Sequence, residues 1–347
     1  MPQGDSFLTE KSILITGGTG SFGQAMVKRL IQSPARRIIV FSRDELKQWQ
    51  MQQHPDFKSD KLRYFLGDIR DAERLRQALK SVDIVVHAAA LKQVPAAEYN
   101  PSEFIKTNVQ GTANLVEAAA ACQVEKVLFL STDKAVNPIN LYGATKLCAE
   151  KLVLSAGVYS LKTKFSVMRY GNVMSSRGSV IGLWQDLAKT GKKLPLTHYE
   201  MTRFWLTLEQ ACEHVMFALS NMQGFEVFIP NIPSMKLHEL AKLIAGRDNV
   251  EITGIRPGEK IHETLISDQD LAQIFDLKER FKLFTNVVNC TRLEFLVAEF
   301  WLGCLLDGAN GCGCGCLWLG GLLGWNGGRF WLSSKYARNQ CPERLQL

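Results

Sequence analysis

Two hydrophobic periods alternate over the first two thirds of the chain. Short apolar, β-rich runs fall at residues 12–16, 37–41, 62–66, 84–87, 126–130 and 165–168. Between them, apolar residues recur at helical spacing over 23–32, 72–79, 104–121 and 142–155. Near-continuous apolar strands bounded by helices predict a parallel sheet covered on both faces. Right-handed crossovers turn that order into an α/β, doubly wound sheet. After Tyr170 the alternation breaks. Residues 171–182 are rich in Gly, Ser and Asn and read as a loop. Helices are expected over 183–190, 208–222 and 237–245, with short strands over 226–229 and 250–254.

Residues 301–332 follow no such pattern. They hold ten Gly, four Cys and four Trp, with Asp307 and Arg329 the charged residues, and show neither a helical nor a strand period. A flexible tail and translation out of frame are the two main readings. A metal site from Cys312, Cys314 and Cys316 is a third, and the Gly-Cys alternation lacks the paired spacing of zinc ligands.

Composition adds bounds. A chain of 347 residues suits one large α/β domain and a smaller lobe. With 46% hydrophobic and 22% charged residues it has ordinary globular composition. A net charge of +7 suits an anionic ligand such as a dinucleotide or a nucleotide sugar. Lys and Arg are dispersed, so nucleic acid is not an expected partner. Met1 to Glu10 lacks the apolar region of a signal peptide, and the first apolar run is too short to span a membrane. A cytoplasmic location without a membrane partner is expected. Cys122, Cys148 and Cys212 read as reduced core residues. The six histidines show no metal-ligand spacing, so no metal is expected.

The first chemical motif is Thr16-Gly17-Gly18-Thr19-Gly20-Ser21-Phe22-Gly23, between the first strand and the first helix. Gly17 permits a tight turn, Gly20 lets backbone approach a pyrophosphate, and Gly23 allows close helix–strand packing. The helix N-terminus then offers free N–H groups to phosphate. The second strand ends in Phe41-Ser42-Arg43-Asp44. Ser42 and Arg43 suit a 2′-phosphate and point to NADP, while Asp44 leaves NAD as the alternative. Asp68 and Ile69 fit the adenine edge, and Ala88 to Ala90 are small enough to lie against a cofactor. The expected organisation is a Rossmann-type NADP-binding domain over residues 1–170 and a mainly substrate-binding lobe over 171–284. Late elements of that lobe return to the sheet, and 285–347 form an atypical tail.

The fifth strand ends in Leu130-Ser131-Thr132-Asp133-Lys134, and Tyr142-Gly143-Ala144-Thr145-Lys146 follows. Tyr142 and Lys146 share a helix face, so the ammonium is expected to favour phenolate and lower the Tyr142 pKa. Such a Tyr takes a proton from a sugar hydroxyl as hydride leaves the same carbon. A dehydrogenase or epimerase needs only a hydroxyl donor such as Thr132 beside it. Asp133 and Lys134 add an acid and a potential base, the pair that elimination of water requires. A salt-linked loop is the plain alternative.

The run from Leu130 to Glu150 resembles the inverting UDP-N-acetylglucosamine 4,6-dehydratases, extended short-chain dehydrogenases/reductases that open pseudaminic acid synthesis. Arg169-Tyr-Gly-Asn-Val173, Met201-Thr-Arg-Phe-Trp205 and Gly254-Ile-Arg-Pro-Gly-Glu-Lys-Ile-His-Glu263 share the resemblance, which covers about residues 8 to 268. Related retaining dehydratases place Met where Tyr142 stands. The resemblance implies that Tyr142 deprotonates the C4 hydroxyl during hydride transfer to NADP+. Lys134 then removes the C5 proton and Asp133 protonates the departing C6 hydroxyl. Hydride return to C6 and reprotonation of C5 from the opposite face give UDP-2-acetamido-2,6-dideoxy-β-L-arabino-hexos-4-ulose.

By the same resemblance, NADP contacts fall on Thr19, Gly20, Ser21 and Phe22, and on Ser42, Arg43, Asp44, Glu45, Leu46 and Lys47. Asp68, Ile69, Ala88, Lys92, Leu130, Ser131, Tyr142, Lys146, Val173, Met174, Ser175, Ser176 and Arg177 complete them. Substrate contacts fall on Lys92, Asn172, Val180, Thr197, Met201 and Glu259, and a homo-oligomer is implied. Arg256 suits a diphosphate on charge grounds; a surface ion pair is the alternative. A 4-epimerase or reductase, or a non-catalytic NADP-binding regulator, are the competing functions.

Overall fold

The computed structural model describes residues 5–174, 178–268, 270, 274–277, 281–285, 323–326 and 329–332. Apolar runs become strands, and helices alternate with them through most of the first part of the chain. They are β1 (Ser12–Thr16), α1 (Ser21–Ile31), β2 (Arg37–Ser42), α2 (Glu45–Gln53), β3 (Leu62–Leu66), α3 (Ala72–Ala78) and β4 (Ile84–His87). Then come α4 (Val94–Tyr99), α5 (Pro101–Phe104), α6 (Gly111–Ala121), β5 (Lys126–Thr132), α7 (Leu141–Tyr159) and β6 (Lys164–Tyr170). The second part holds β7 (Asn172–Val173), α8 (Val180–Lys189), β8 (Leu194–Leu196), β9 (Thr202–Leu206), α9 (Leu208–Asn221) and β10 (Glu226–Pro230). It continues with β11 (Ser234–Lys236), α10 (Leu237–Ala245), β12 (Val250–Ile252), β13 (Ile274–Leu277) and β14 (Phe281–Thr285).

Seven strands run parallel in the order β10-β6-β5-β4-β1-β2-β3, and β14 and β13 extend the β10 edge antiparallel. The predicted doubly wound sheet is therefore present. Its central strands are apolar almost throughout because helices cover both faces; Ile13, Leu14, Ile15, Val85, Val86, Val127 and Leu128 are fully buried.

Three local features depart from the sequence pattern. Helix α2 was not anticipated, because its mostly polar run Glu45–Gln53 buries only Gln48 and Met51 and so carries no amphipathic signal. Asp44 starts it by accepting the Lys47 backbone N–H. The predicted helix over 104–121 is broken by a π-helical segment, Ile105–Gln110. Beyond it, a side chain on Gly111 would come within 2.8 Å of Ile69, so glycine lets α6 close onto the loop between β3 and α3. The strands β5 and β6 also run past their predicted ends, to Thr132 and Tyr170.

A smaller lobe sits on the C-terminal edge of the sheet. Strands β7, β9 and β11 form one sheet there, and β8 pairs with β12. Trp184, Leu194, Leu196, Met201, Trp205 and Leu237 form its own core. Buried Arg169 on β6 ties α7 to the segment around Leu265, which packs in the main core. It pairs with Glu150 of α7 at 2.7 Å and donates to the Leu265 carbonyl at 3.0 Å. Replacing it with Met strands a buried carboxylate, so Arg169→Met lowers the unfolding free energy by about 3–5 kcal/mol in denaturant titration.

Residues 289–347 form a separate unit. In it β15 (Leu323–Asn326) pairs antiparallel with β16 (Arg329–Leu332), where the sequence showed no strand period. The cysteines at 312, 314 and 316 lie outside the described residues.

Candidate active site

A cavity of about 680 Å³ runs from the β1–α1 turn, across the ends of β4, β5 and β6, to the smaller lobe. In an open α/β sheet, this C-terminal edge is where ligands bind.

At the first end, Gly17 has φ +66°, and a side chain there would come within 3.0 Å of the Ala89 backbone. A side chain on Gly23 would lie 2.5 Å from the Gly17 carbonyl, so α1 packs on the turn only as glycine. Thr19, Gly20, Ser21 and Phe22 line the cavity around the α1 N-terminus. The Thr19 and Ser42 hydroxyls meet at 2.8 Å behind this wall. Arg43 pairs with Asp68 at 3.6 Å, and Arg70 pairs with the same carboxylate at 2.8 Å. Burial works against that carboxylate, but Arg70 and Arg43 hold its pKa below the usual range. Asp44 is engaged by both the backbone and the ammonium of Lys47. Lys47 lines the cavity, whereas Ser42, Arg43, Asp44, Glu45, Leu46, Asp68 and Ile69 do not. Leu46 is largely exposed and Ile69 is buried.

Ala88 and Lys92 line the middle of the cavity. Enclosure lowers the pKa of Lys92. Beneath Ala88, His87 is held between Thr16 at 2.6 Å and Thr112 at 3.1 Å. Burial, with a smaller effect of Lys146, pushes its pKa down from 6.5 to about 3. An unfolded chain takes up a proton here that the folded one refuses. Stability is therefore intact above pH 6.5 and is lost as pH falls toward about 3, by about 5 kcal/mol at most. Acid titration of unfolding checks this, and His87→Gln flattens that part of the profile.

The expected catalytic groups gather around the end of β5. Asn140 caps α7 by accepting the Gly143 N–H at 2.8 Å, and Tyr142 and Lys146 then face the cavity one turn apart. The Lys146 ammonium donates to the Leu130 carbonyl at 2.7 Å and lies over the Phe129 ring. Burial pushes its pKa down to about 7, against the pull of Glu150. Tyr142 departs from expectation. Burial first and the Asp133 charge second raise its pKa well above 10, and a hydrogen bond with Thr132 only partly offsets them. Desolvation of a phenolate outweighs an ammonium that is turned toward a carbonyl.

Asp133 is fully buried and does not line the cavity. Its Oδ1 accepts from the Thr132 hydroxyl at 2.8 Å and from Lys134 Nζ at 3.0 Å, while Oδ2 has no hydrogen-bond partner. Lys134 lines the cavity and also donates to Asn172 Oδ1 at 3.3 Å. Leu130, Ser131, Thr132, Asn172, Val173, Val180, Thr197 and Glu259 line it too. Met174 packs against the smaller lobe's core, and Met201 lies fully inside that core without lining the cavity. Ser175, Ser176 and Arg177 lie outside the described residues.

Two buried charged residues on the cavity wall were missed. Arg203 donates to the Thr202 and Ile261 carbonyls and pairs with Glu259 at 3.6 Å. Glu263 lies 3.5 Å from Lys134. Both sit inside motifs legible in the sequence, but the sequence carries no sign of their burial.

The glycine turn, the Tyr142/Lys146 pair on α7 and the lobe over the sheet edge place the fold among the extended short-chain dehydrogenases/reductases. Known proteins agree. The family described as "Polysaccharide biosynthesis protein" matches residues 13–284. The UDP-N-acetylglucosamine 4,6-dehydratase (inverting) of Campylobacter jejuni subsp. jejuni serotype O:23/36 (strain 81-176) is 48% identical over 281 residues, covering 80% of this chain and 84% of that protein. The UDP-glucose 4-epimerase of Rickettsia canadensis (strain McKiel) is 40% identical over 284 residues, covering 79% and 83%. The X-ray structure of Pen from Bacillus thuringiensis superposes with a TM-score of 0.77 at 36% identity, covering 84% of this chain and 99% of that one. The chain belongs to the polysaccharide biosynthesis protein family. Among the described residues, no helix is long and apolar enough to cross a membrane.

Proposed function

We propose that this protein is a UDP-N-acetylglucosamine 4,6-dehydratase that inverts C5, uses NADP and acts first in pseudaminic acid synthesis. The observation that carries this is the end of β5, where Asp133, Lys134 and the Thr132–Tyr142 contact converge. A 4-epimerase has work for Tyr142 and Thr132 but none for an added acid and base. The similarity to the inverting dehydratase of Campylobacter jejuni supports the same assignment.

The residues fit a dinucleotide. The space at Gly23 is closed to any side chain, the α1 N-terminus faces the cavity, and the buried Ser131 hydroxyl on its wall has no hydrogen-bond partner. Asp44 is already committed to capping α2, which favours NADP over NAD, with Arg43 and Lys47 as the cations for a 2′-phosphate. When bound, NADP accepts a hydride from the sugar and returns it. Residues 1–170 form its domain and 171–284 mainly the substrate lobe. A homo-oligomer in the cytoplasm is part of the same assignment.

Tyr142 takes the C4 hydroxyl proton. Its own proton passes through Thr132 to Asp133, since these three groups are joined by consecutive hydrogen bonds. The Asp133 charge that opposes a free phenolate is neutralised by that same transfer. Lys134 removes the C5 proton, which the 4-keto group acidifies. Asp133 then gives its proton, through Thr132, to the departing C6 hydroxyl. The proton that Tyr142 passed on leaves as part of the water, Tyr142 keeps the one from C4, and C5 takes a proton from solvent in the cavity on its opposite face.

The test is to incubate the protein with UDP-N-acetylglucosamine and NADP+ and analyse the product by mass spectrometry and NMR. Loss of one water with inverted C5 is the expected result. An unchanged mass with a C4 epimer would transfer the protein to the epimerases.

A further inference from the structure

Lys134 is held by carboxylates on two sides, and the mechanism above uses only one of them. Asp133 Oδ1 lies 3.0 Å from its Nζ, and Glu263 Oε1 lies 3.5 Å away. Glu263 comes from the 254–263 loop, far from Asp133 in the chain, and lines the same cavity. Both carboxylates are buried, and each keeps one oxygen, Asp133 Oδ2 and Glu263 Oε2, without a hydrogen-bond partner. A purely structural ion pair pairs such atoms, because an unsatisfied buried oxygen is costly.

The loop that carries Glu263 is fastened to the catalytic turn. Lys260 Nζ donates to the Val136 carbonyl at 2.7 Å and lies 3.7 Å from Glu263 Oε2. Asn140, the cap of α7, donates to the Gly258 carbonyl at 2.7 Å. Arg203 and Thr202 both hold the Ile261 carbonyl from β9. Glu263 is thus fixed relative to Lys134 by three anchors outside the ion pair itself.

We infer that Glu263 is the positioning residue that readies Lys134 as the base for C5, an inference that rests on the dehydratase assignment. Lys134 must shed a proton before it can accept one from carbon. Asp133 cannot take it, because Asp133 has already received the Tyr142 proton through Thr132. Glu263 is the other acceptor in reach. One Lys134 N–H bond breaks and one Glu263 O–H bond forms, leaving a neutral amine between two neutral acids. After Lys134 takes the C5 proton, the Glu263 proton can return to the solvent-accessible cavity and the ion pair is restored. The two carboxylates divide the work: Asp133 serves the leaving hydroxyl and Glu263 serves the base.

The experiment compares wild type, Glu263→Gln and Glu263→Asp with UDP-N-acetylglucosamine and NADP+ in deuterated water. Reduced-nicotinamide absorbance reports C4 oxidation, and deuterium at C5 with water loss reports the later steps. In Glu263→Gln, C4 oxidation and KM are expected to stay within about 3-fold of wild type. C5 exchange and kcat fall roughly 10- to 100-fold, less than loss of the base itself, and reduced nicotinamide accumulates. Glu263→Asp, which keeps the carboxylate, recovers part of that loss. Equal losses in oxidation and exchange with a lowered melting temperature would make Glu263 merely structural and overturn the inference. So would full C5 exchange in Glu263→Gln. Wild-type protein that oxidises C4 but neither exchanges C5 nor loses water would overturn the dehydratase assignment itself, and the role of Glu263 with it.

Discussion

Lys134→Ala is expected to lower kcat for water loss by about 10³- to 10⁴-fold, while C4 oxidation persists. Lys260 also pairs with Glu263, but its ammonium is held by the Val136 carbonyl. The 4-keto sugar and reduced nicotinamide should therefore build up in a single turnover. Stopped-flow absorbance shows whether they do. A variant with the full dehydration rate would remove Lys134 from the mechanism. Loss of C4 oxidation along with dehydration would show that the substitution has damaged the site as a whole.

Tyr142→Phe acts one step earlier. It keeps the buried ring but breaks the path from the C4 hydroxyl to Thr132 and Asp133. Both C4 oxidation and water loss should fall together, by about 10²- to 10⁴-fold, with NADP binding little changed. The same ring loses the hydroxyl whose ionisation burial opposes. Isothermal titration with NADP+ alongside steady-state rates separates the two effects. A variant that still oxidises C4 at the wild-type rate would place the C4 base elsewhere.

Both substitutions concern residues legible from the chain, and the reasons are local. Tyr142 and Lys146 share a face because helical geometry brings residues four apart together. Gly17 and Gly23 reveal themselves because only a missing Cβ admits the turn and the close helix. The parallel order of the sheet follows from apolar runs too continuous to face water on either side. Hidden helix α2 marks the limit of such reasoning, since a helix lying mostly in solvent has no apolar stripe to announce it.

The sequence by itself determined the doubly wound sheet and the glycine turn, and set Asp133 and Lys134 just past the end of β5 with Tyr142 at the start of α7. Each depends on backbone geometry and residue type over a few neighbouring positions. Only the tertiary structure decided how those groups are tuned. It buried Tyr142 so that its pKa rises where spacing alone predicts a fall. It turned Lys146 toward the Leu130 carbonyl, and placed Met201 in the core of the smaller lobe and away from the cavity. It also brought Glu263 to Lys134 across more than a hundred residues of chain. Desolvation and charge pairing depend on everything that surrounds a group in space, and that environment is assembled from segments distant in the chain.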